Sequence, residues 1–254
     1  MSLSIDRVPR PETLSRKEHL YRGAILSSSE VRDIILPHLT IAYNNIIKPE
    51  DLDENGQFQE SRLEPQQSMW FGLFPKGGPR VEPDVFARLI LPIDSQGRNS
   101  LHTFFDTEGR AAQPGLGKFS SLQPHFEEIT SQEGKEMLEG LDPREVAELG
   151  GFISPSRNTN PFLLMNIMRY YSNDNGIGYW ICGFVPEEHA QFYRLLGPAL
   201  TPLNNDPIHF GNFDVQCMPY LIEIEKGIRA LQTSDDPVHR RVGESFNPPK
   251  DLAA

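Results

Sequence analysis

Three groups of residues in this chain of 254 carry side chains suited to proton transfer and anion binding. Glu148 lies in REVAELGGFIS (144–154), a strand candidate, and is the last acidic group before a buried-looking run. A carboxylate there can accept a proton directly or through a water molecule; its alternative role is an edge-strand carboxylate facing solvent or paired with an arginine. The next segment, SPSRNTNPF (154–162), gathers hydroxyls, an amide and a guanidinium immediately before a helix. Asn160 is placed to cap that helix and Pro161 to fill its first turn, where no backbone donor is lost. The N–H groups at such a helix start suit an anion, for example a phosphate. Arg157, Asn158 and Thr159, with Ser154 and Ser156 nearby, are candidate contacts, and a guanidinium binds phosphate more specifically than lysine does. A hydrophilic loop with a helix cap is the other reading. Arg88 stands inside the otherwise apolar strand DVFARLILPI (84–93). A buried guanidinium is costly unless paired, so a defined partner is expected, with Glu148 a candidate. Strand alternation also leaves open an Arg88 that points to solvent.

The elements that must position these groups follow from periodicity and punctuation. Residues 1–15 read as an arm. Helical signals begin near Arg16 and continue through Ser29–Ile47, with Ser29 as a cap and Pro37 kinking or dividing the run. A polar connection (48–67) leads to strands at 68–74, 84–93 and 100–105, a Gly- and Pro-bearing loop (106–119), and one or two short helices within 121–140. After the Glu148 strand, the helix from Pro161 repeats Leu164, Ile167, Met168 and Tyr171 at helical spacing. GIGYWICGFV (176–185) is nearly all apolar, as a strand covered on both faces would be. Pro186 to Glu188 open another helix that ends at Gly197, with His189, Phe192, Tyr193 and Leu196 on one face. Strand candidates at 199–203 and 209–217 precede a last helix from Pro219, along which Leu221, Ile224, Ile228 and Leu231 align. From Ser234 onward the chain reads as a tail (234–254) anchored by Phe246. This order of helices, strand meander and β-α-β-α-β predicts one α/β (α+β) domain spanning 1–254, with helices on both faces of a mixed sheet.

Composition narrows the function classes. The net charge of −11 argues against a nucleic-acid partner, which requires a basic footprint. Between Glu127 and Glu148 eight acidic residues face two basic ones, so six of the eleven excess charges are local and an anionic ligand is compatible with the rest of the surface. No run approaches the ~20 apolar residues of a membrane span, and the first residues lack a signal-peptide core, so a cytoplasmic location is expected. Cys182 and Cys217 lack metal-ligand spacing and read as ordinary buried thiols; no metal site is expected. No nucleophile elbow, phosphate-cradling glycine loop or dinucleotide fingerprint is present, which sets aside hydrolase, nucleotide-triphosphatase and zinc-enzyme readings.

Four stretches carry a resemblance to a known family. ARLILP (87–92) is similar to an Arg-Leu-Leu-Pro strand, VAELGGFIS (146–154) resembles a Glu-Leu-Ser-Arg-Phe strand with Glu148 at its acidic position, and FYRLLGPALTPL (192–203) resembles a helix-to-strand passage with a tyrosine four residues before a glycine. HFGNFDVQCMPYLIEI (209–224) is similar to a C-terminal strand and helix. In this order they resemble the GNAT-fold N-acyltransferases, and within them the acyl-homoserine-lactone synthases and long-chain N-acyl amino acid synthases. The resemblance implies a GNAT-like, mostly antiparallel sheet with the strands at 84–93 and 144–154 as neighbours. It implies transfer of an acyl group from an acyl-CoA or acyl-phosphopantetheine thioester to the amine of an amino acid or small metabolite, with no permanently bound cofactor and with acyl carrier protein as a candidate donor. By that resemblance Glu148 is the base, Tyr193 the acid for the departing thiolate, and Arg88 a substrate or supporting group. Ile153, Ser154, Ser156, Arg157, Asn158, Thr159 and Asn160 would hold the donor, and Trp70, Phe152, Phe162 and Met165 the substrate. Backbone N–H groups from Gly150 to Ile153 could polarise the thioester carbonyl; a β-bulge explains the paired glycines equally well. Tyr193, Phe162 and Met165 also read as core. Two departures stand out: Gly151 replaces the family arginine, and SPSRNTN replaces the glycine-rich pyrophosphate loop of acetyl-CoA users, favouring a longer acyl chain. A non-catalytic ligand-binding or interaction domain on the same fold is the alternative function.

Overall fold

A computed structural model of the chain describes residues 21–42, 52–56, 68–76, 83–91, 131–153, 161–184, 190–210 and 215–247. The expectations for 1–15, 100–105, 106–119, 154–160 and Pro186–His189 lie outside them. Strands β1 (Tyr21–Ile25), β2 (Ser68–Pro75), β3 (Val85–Ile90), β4 (Val146–Ile153), β5 (Tyr179–Phe184), β6 (Thr201–Pro202), β7 (Ile208–Phe210) and β8 (Val215–Glu223) form one sheet in the order β1-β2-β3-β4-β5-β8-β6, with β7 on β8. Every pairing is antiparallel except β4 with β5. The mixed, mostly antiparallel sheet and the β3–β4 adjacency agree with the sequence reading.

Helices cover both faces. On one, α4 (Pro161–Asp174), α5 (Ala190–Leu196) and α6 (Ile224–Gln232) close the main core over Phe71, Ala87, Leu89, Ala147, Leu149, Trp180 and Ile222. On the other, the helical run from α1 (Ser28–Glu30) through α2 (Leu36–Ala42) places Val31, Ile35 and Leu39 against Trp70, Phe74 and Phe86, while α3 (Gln132–Glu139) packs Leu138 over Val146, Ile181, Leu203 and Leu221. The buried indole of Trp180 donates to Ser172 Oγ at 2.9 Å, so the core's largest polar-tipped ring is satisfied.

Several local expectations are corrected. Tyr21–Ile25 is an edge strand rather than helix, because its register against β2 (Tyr21↔Pro75 to Ile25↔Phe71) supplies backbone partners that local propensity does not foresee. The first helical run is capped by Ser27, not Ser29: Ser27 Oγ accepts from Glu30 N and Glu30 Oε2 accepts from Ser27 N, a reciprocal box. Pro37 does not divide the run; a π turn (Val31–Ile35), in which Leu36 N–H bonds Val31 O, widens the helix ahead of the ring. Pro219 lies within β8, and the last-helix start moves to Ile224. Leu203 N donates to Pro219 O at 2.9 Å, so Pro219's missing N–H faces the short β6 side and β5 loses no bond. The stretch from Ser234 is no tail: Asp236 caps α7 (Pro237–Glu244), and Phe246 behind it is buried.

Candidate active site at the fork between β4 and β5

β4 and β5 run parallel for only three pairs, Val146↔Tyr179, Ala147↔Trp180 and Glu148↔Ile181. Beyond Glu148, β4 stays with β3 as far as Ile153↔Phe86, while β5 stays with β8 as far as Phe184↔Met218. The two strands diverge, and the half-buried Glu148 stands at the apex of the fork. Gly178 N donates to Glu145 O at 2.9 Å and fixes the closed end.

Register settles which face each side chain takes. Arg88 pairs with Trp70 and with Gly150, and Ile90 pairs with Ser68 and Glu148. Directly paired residues share a face, so Arg88 and Glu148 are diagonal neighbours on one side of adjacent strands, a separation that long side chains span. That side is the α1–α3 face, between the apolar cluster around Trp70 and the one around Val146. Arg88 is only 6% exposed, and its guanidinium lies 5.3 Å from the Trp70 ring centroid. It lies over Gly150, where a Cβ would stand in ordinary contact at 3.9 Å from Arg88 Nε and Nη2.

The paired glycines mark a β-bulge. Between Phe86↔Ile153 and Arg88↔Gly150, β4 carries one more residue than β3. Gly151 takes φ +56°, the left-handed region that glycine enters without strain, and a Cβ on it would meet Trp70 Cη2 at 3.3 Å. The extra residue inverts the alternation beyond it. Phe152, which strict alternation puts with Glu148, instead packs on the α4–α5 face against Phe192 at 5.1 Å, and Ile153 joins the Trp70 cluster. An arginine at 151 would have to adopt this left-handed backbone beside the Trp70 ring, which gives the glycine a local structural reason.

Tyr193 sits on the opposite side of the fork from Glu148. It does not share the core face of Phe192, Leu195 and Leu196: it is 43% exposed, with its ring 5.2 Å from that of Tyr220. Tyr220 pairs with Cys182, the β5 residue just past the fork's apex. Burial, followed by a hydrogen bond with Tyr193, pushes the Tyr220 hydroxyl far above the usual tyrosine range. Phe162 stacks on Phe192 at 5.4 Å and 7°, and Met165 lines a small apolar cavity with Trp180, Leu196 and Phe246. Both occupy the core between helices and sheet. Ser154 to Asn160 lie outside the described residues; Pro161 begins α4 as expected. Tyr220 is the group that sequence reasoning missed, since its pairing with Cys182 depends on a register that no local pattern encodes.

A mostly antiparallel sheet broken by one short parallel pair that splays open, with helices on both faces, is the GNAT-like architecture. No protein-family model matches the sequence, and no curated protein matches it. Among solved structures, TofI, determined in a ternary complex with an inhibitor and MTA, aligns with a TM-score of 0.50 at 14% identity, over 87% of this chain and 99% of that one. FeeM, an N-acyl amino acid synthase from uncultured soil microbes, aligns at 0.49 and 18%, over 83% and 94%. BjaI, a CoA-dependent acyl-homoserine lactone synthase solved with SAM and isopentyl-CoA, aligns at 0.46 and 11%, over 88% and 89%. At these identities the likeness, carried by TofI, is one of fold.

Proposed function

We propose that this chain is an N-acyltransferase that moves an acyl group from an acyl-CoA or acyl-phosphopantetheine thioester to the amine of an amino acid or small metabolite. The observation that carries the reading is the fork: two parallel strands part at a carboxylate, leaving a slot whose β4 wall bulges at Gly151. A pantetheine arm needs such a slot, because its amides require strand-edge partners that a continuous sheet would already have used. The two faces favour a division of labour. Glu148, with Arg88 beside it, lies on the α1–α3 face and takes the amine's proton; Tyr193 lies across the sheet on the α5 side and protonates the thiolate that leaves. The bulge interrupts the regular ladder with β3 at Gly151 and Phe152, and backbone N–H groups in this stretch polarise the thioester carbonyl in the tetrahedral intermediate. Ser154 to Asn160, ahead of α4, hold the donor's phosphates.

The test is thiol release and product mass with acyl-CoAs of graded length, acyl carrier protein donors and a panel of amino acids. Glu148→Gln lowers kcat by about 10²–10⁴-fold with folding intact; full activity in that variant rejects Glu148 as base. Thermal stabilisation by long-chain acyl-CoA without transfer to any amine would replace this reading with the ligand-binding one.

A further inference from the structure

Tyr220 has no role in the mechanism above, yet its position is specific. It is a buried phenol on β8, placed by register beside Cys182 at the fork, and its ring meets that of Tyr193 at 5.2 Å and 41°. Phe192, the preceding residue on α5, is locked between Phe152 at 5.1 Å and Phe162 at 5.4 Å. That anchor fixes the rotation of α5, so Tyr193 leaves the core and reaches Tyr220 instead.

We infer that Tyr220 is a positioning residue that holds the Tyr193 hydroxyl at the fork and shares the charge Tyr193 acquires during acyl transfer. The inference rests on the acyltransferase reading. As the C–S bond breaks, Tyr193 O–H gives its proton to the departing thiolate sulfur and becomes a phenolate. Tyr220 O–H then donates to that phenolate oxygen, a charge-assisted bond stronger than the neutral one it replaces. The amine loses one proton through Glu148 to solvent, and solvent restores one to Tyr193, so the cycle balances. Burial keeps Tyr220 neutral, which preserves it as a donor while Tyr193 changes charge. Among the described residues, the Cys182 thiol on β5 acts on Tyr220, Arg194 follows Tyr193 on α5, and His239 on α7 meets the same helix with its Nε2 2.9 Å from the Arg194 carbonyl oxygen.

Tyr220→Phe removes one hydroxyl and keeps the ring. Its kcat falls about tenfold or more while KM stays within about twofold, because a hydrogen bond to a charged oxygen is lost only where that charge develops. The basic limb of the kcat profile moves to higher pH, and the double variant with Tyr193→Phe is no slower than Tyr193→Phe alone. A second arm needs no turnover: in protein labelled with ¹³Cζ-tyrosine, the resonance absent from Tyr193→Phe reports Tyr193, and its chemical shift moves in Tyr220→Phe because the hydrogen bond from Tyr220 is lost. Equal kcat in Tyr220→Phe and wild type, additive losses in the double variant, or an unmoved Tyr193 resonance overturns the inference. A wild type without transfer to any amine defeats the acyltransferase reading instead, and the resonance still decides the pairing.

Discussion

Gly151→Ala probes the bulge that shapes the fork, and its cost can be built from the geometry. A side chain at φ +56° occupies the left-handed region at ~1–2 kcal/mol, offset by the ~0.4–1 kcal/mol an alanine gains by restricting the unfolded chain. Gly176, at φ +72° with nothing described within 4 Å of its Cβ position, carries this backbone term by itself. Gly176→Ala is therefore expected to cost about 0.5–1 kcal/mol. At Gly151 the new methyl also meets Trp70 Cη2 at 3.3 Å and Cζ3 at 3.4 Å. That ring has little room to retreat, with the Phe86 ring 6.4 Å away and the Arg88 guanidinium at 5.3 Å. Overpacking adds ~1–2 kcal/mol, for a total of about 1.5–3 kcal/mol. The corresponding fall in Tm is about 5–10 °C for a chain of this length. Urea unfolding and calorimetry on both variants measure the difference, and Trp70→Phe in the Gly151→Ala background should recover part of it. Equal losses at Gly151 and Gly176 would refute the Trp70 contact, and a stabilised Gly151→Ala would refute the bulge itself.

Other perturbations test the surrounding frame. A Cβ at Gly134 would run into the Leu203 carbonyl oxygen, so Gly134→Ala must lift α3 from the sheet, and a urea titration should show a loss above about 3 kcal/mol. Asp236→Ala deletes the α7 cap, whose carboxylate accepts from Val238 N at 2.7 Å; thermal unfolding should register about 1 kcal/mol. Glu225 is held below the usual carboxylate range, first by its hydrogen bond from Arg169. A depressed folded-state value means stability present above the unfolded value and lost as pH falls through the folded one. The stability gap between wild type and Glu225→Gln should thus be full at neutral pH and vanish in acid, and a gap that persists at pH 2 would contradict it.

The sequence carried the layered α/β order and the strand-to-helix passage around Glu148 because hydrophobic period and Pro or Gly punctuation are local. The apolar neighbours of Arg88 left two readings, a buried cation in need of a partner and one turned to solvent, and its 6% exposure decides for burial. Its sharing of a face with Glu148 needed the register of β3 on β4, which local pattern does not specify. Phe152 shows the limit most clearly: the Gly150–Gly151 doublet announces a bulge, yet a single inserted residue reverses the side on which every later side chain falls. Two signals were present and under-read. Ser27 three residues before Glu30 is a capping box, and Asp236 before Pro237 is a cap followed by a first-turn proline. Tyr21–Ile25, an edge strand with mostly open side chains, offered no apolar period to read.

The α6–α7 hairpin ties the far end of the described chain to the first turn of α4. Gln232 Nε2 reaches Gly243 O and Asn247 Oδ1, Arg169 Nη1 holds the Phe246 carbonyl at 2.8 Å, and the Phe246 ring lies 6.4 Å from that of Phe162 in the first turn of α4. Residues 237–247 thus act as a buttress behind the first turn of α4. A chain cut before Pro237 would uncover an apolar window over Phe162 and Met165, inviting self-association, and would let the α4 entrance sag although no residue of the fork had been touched.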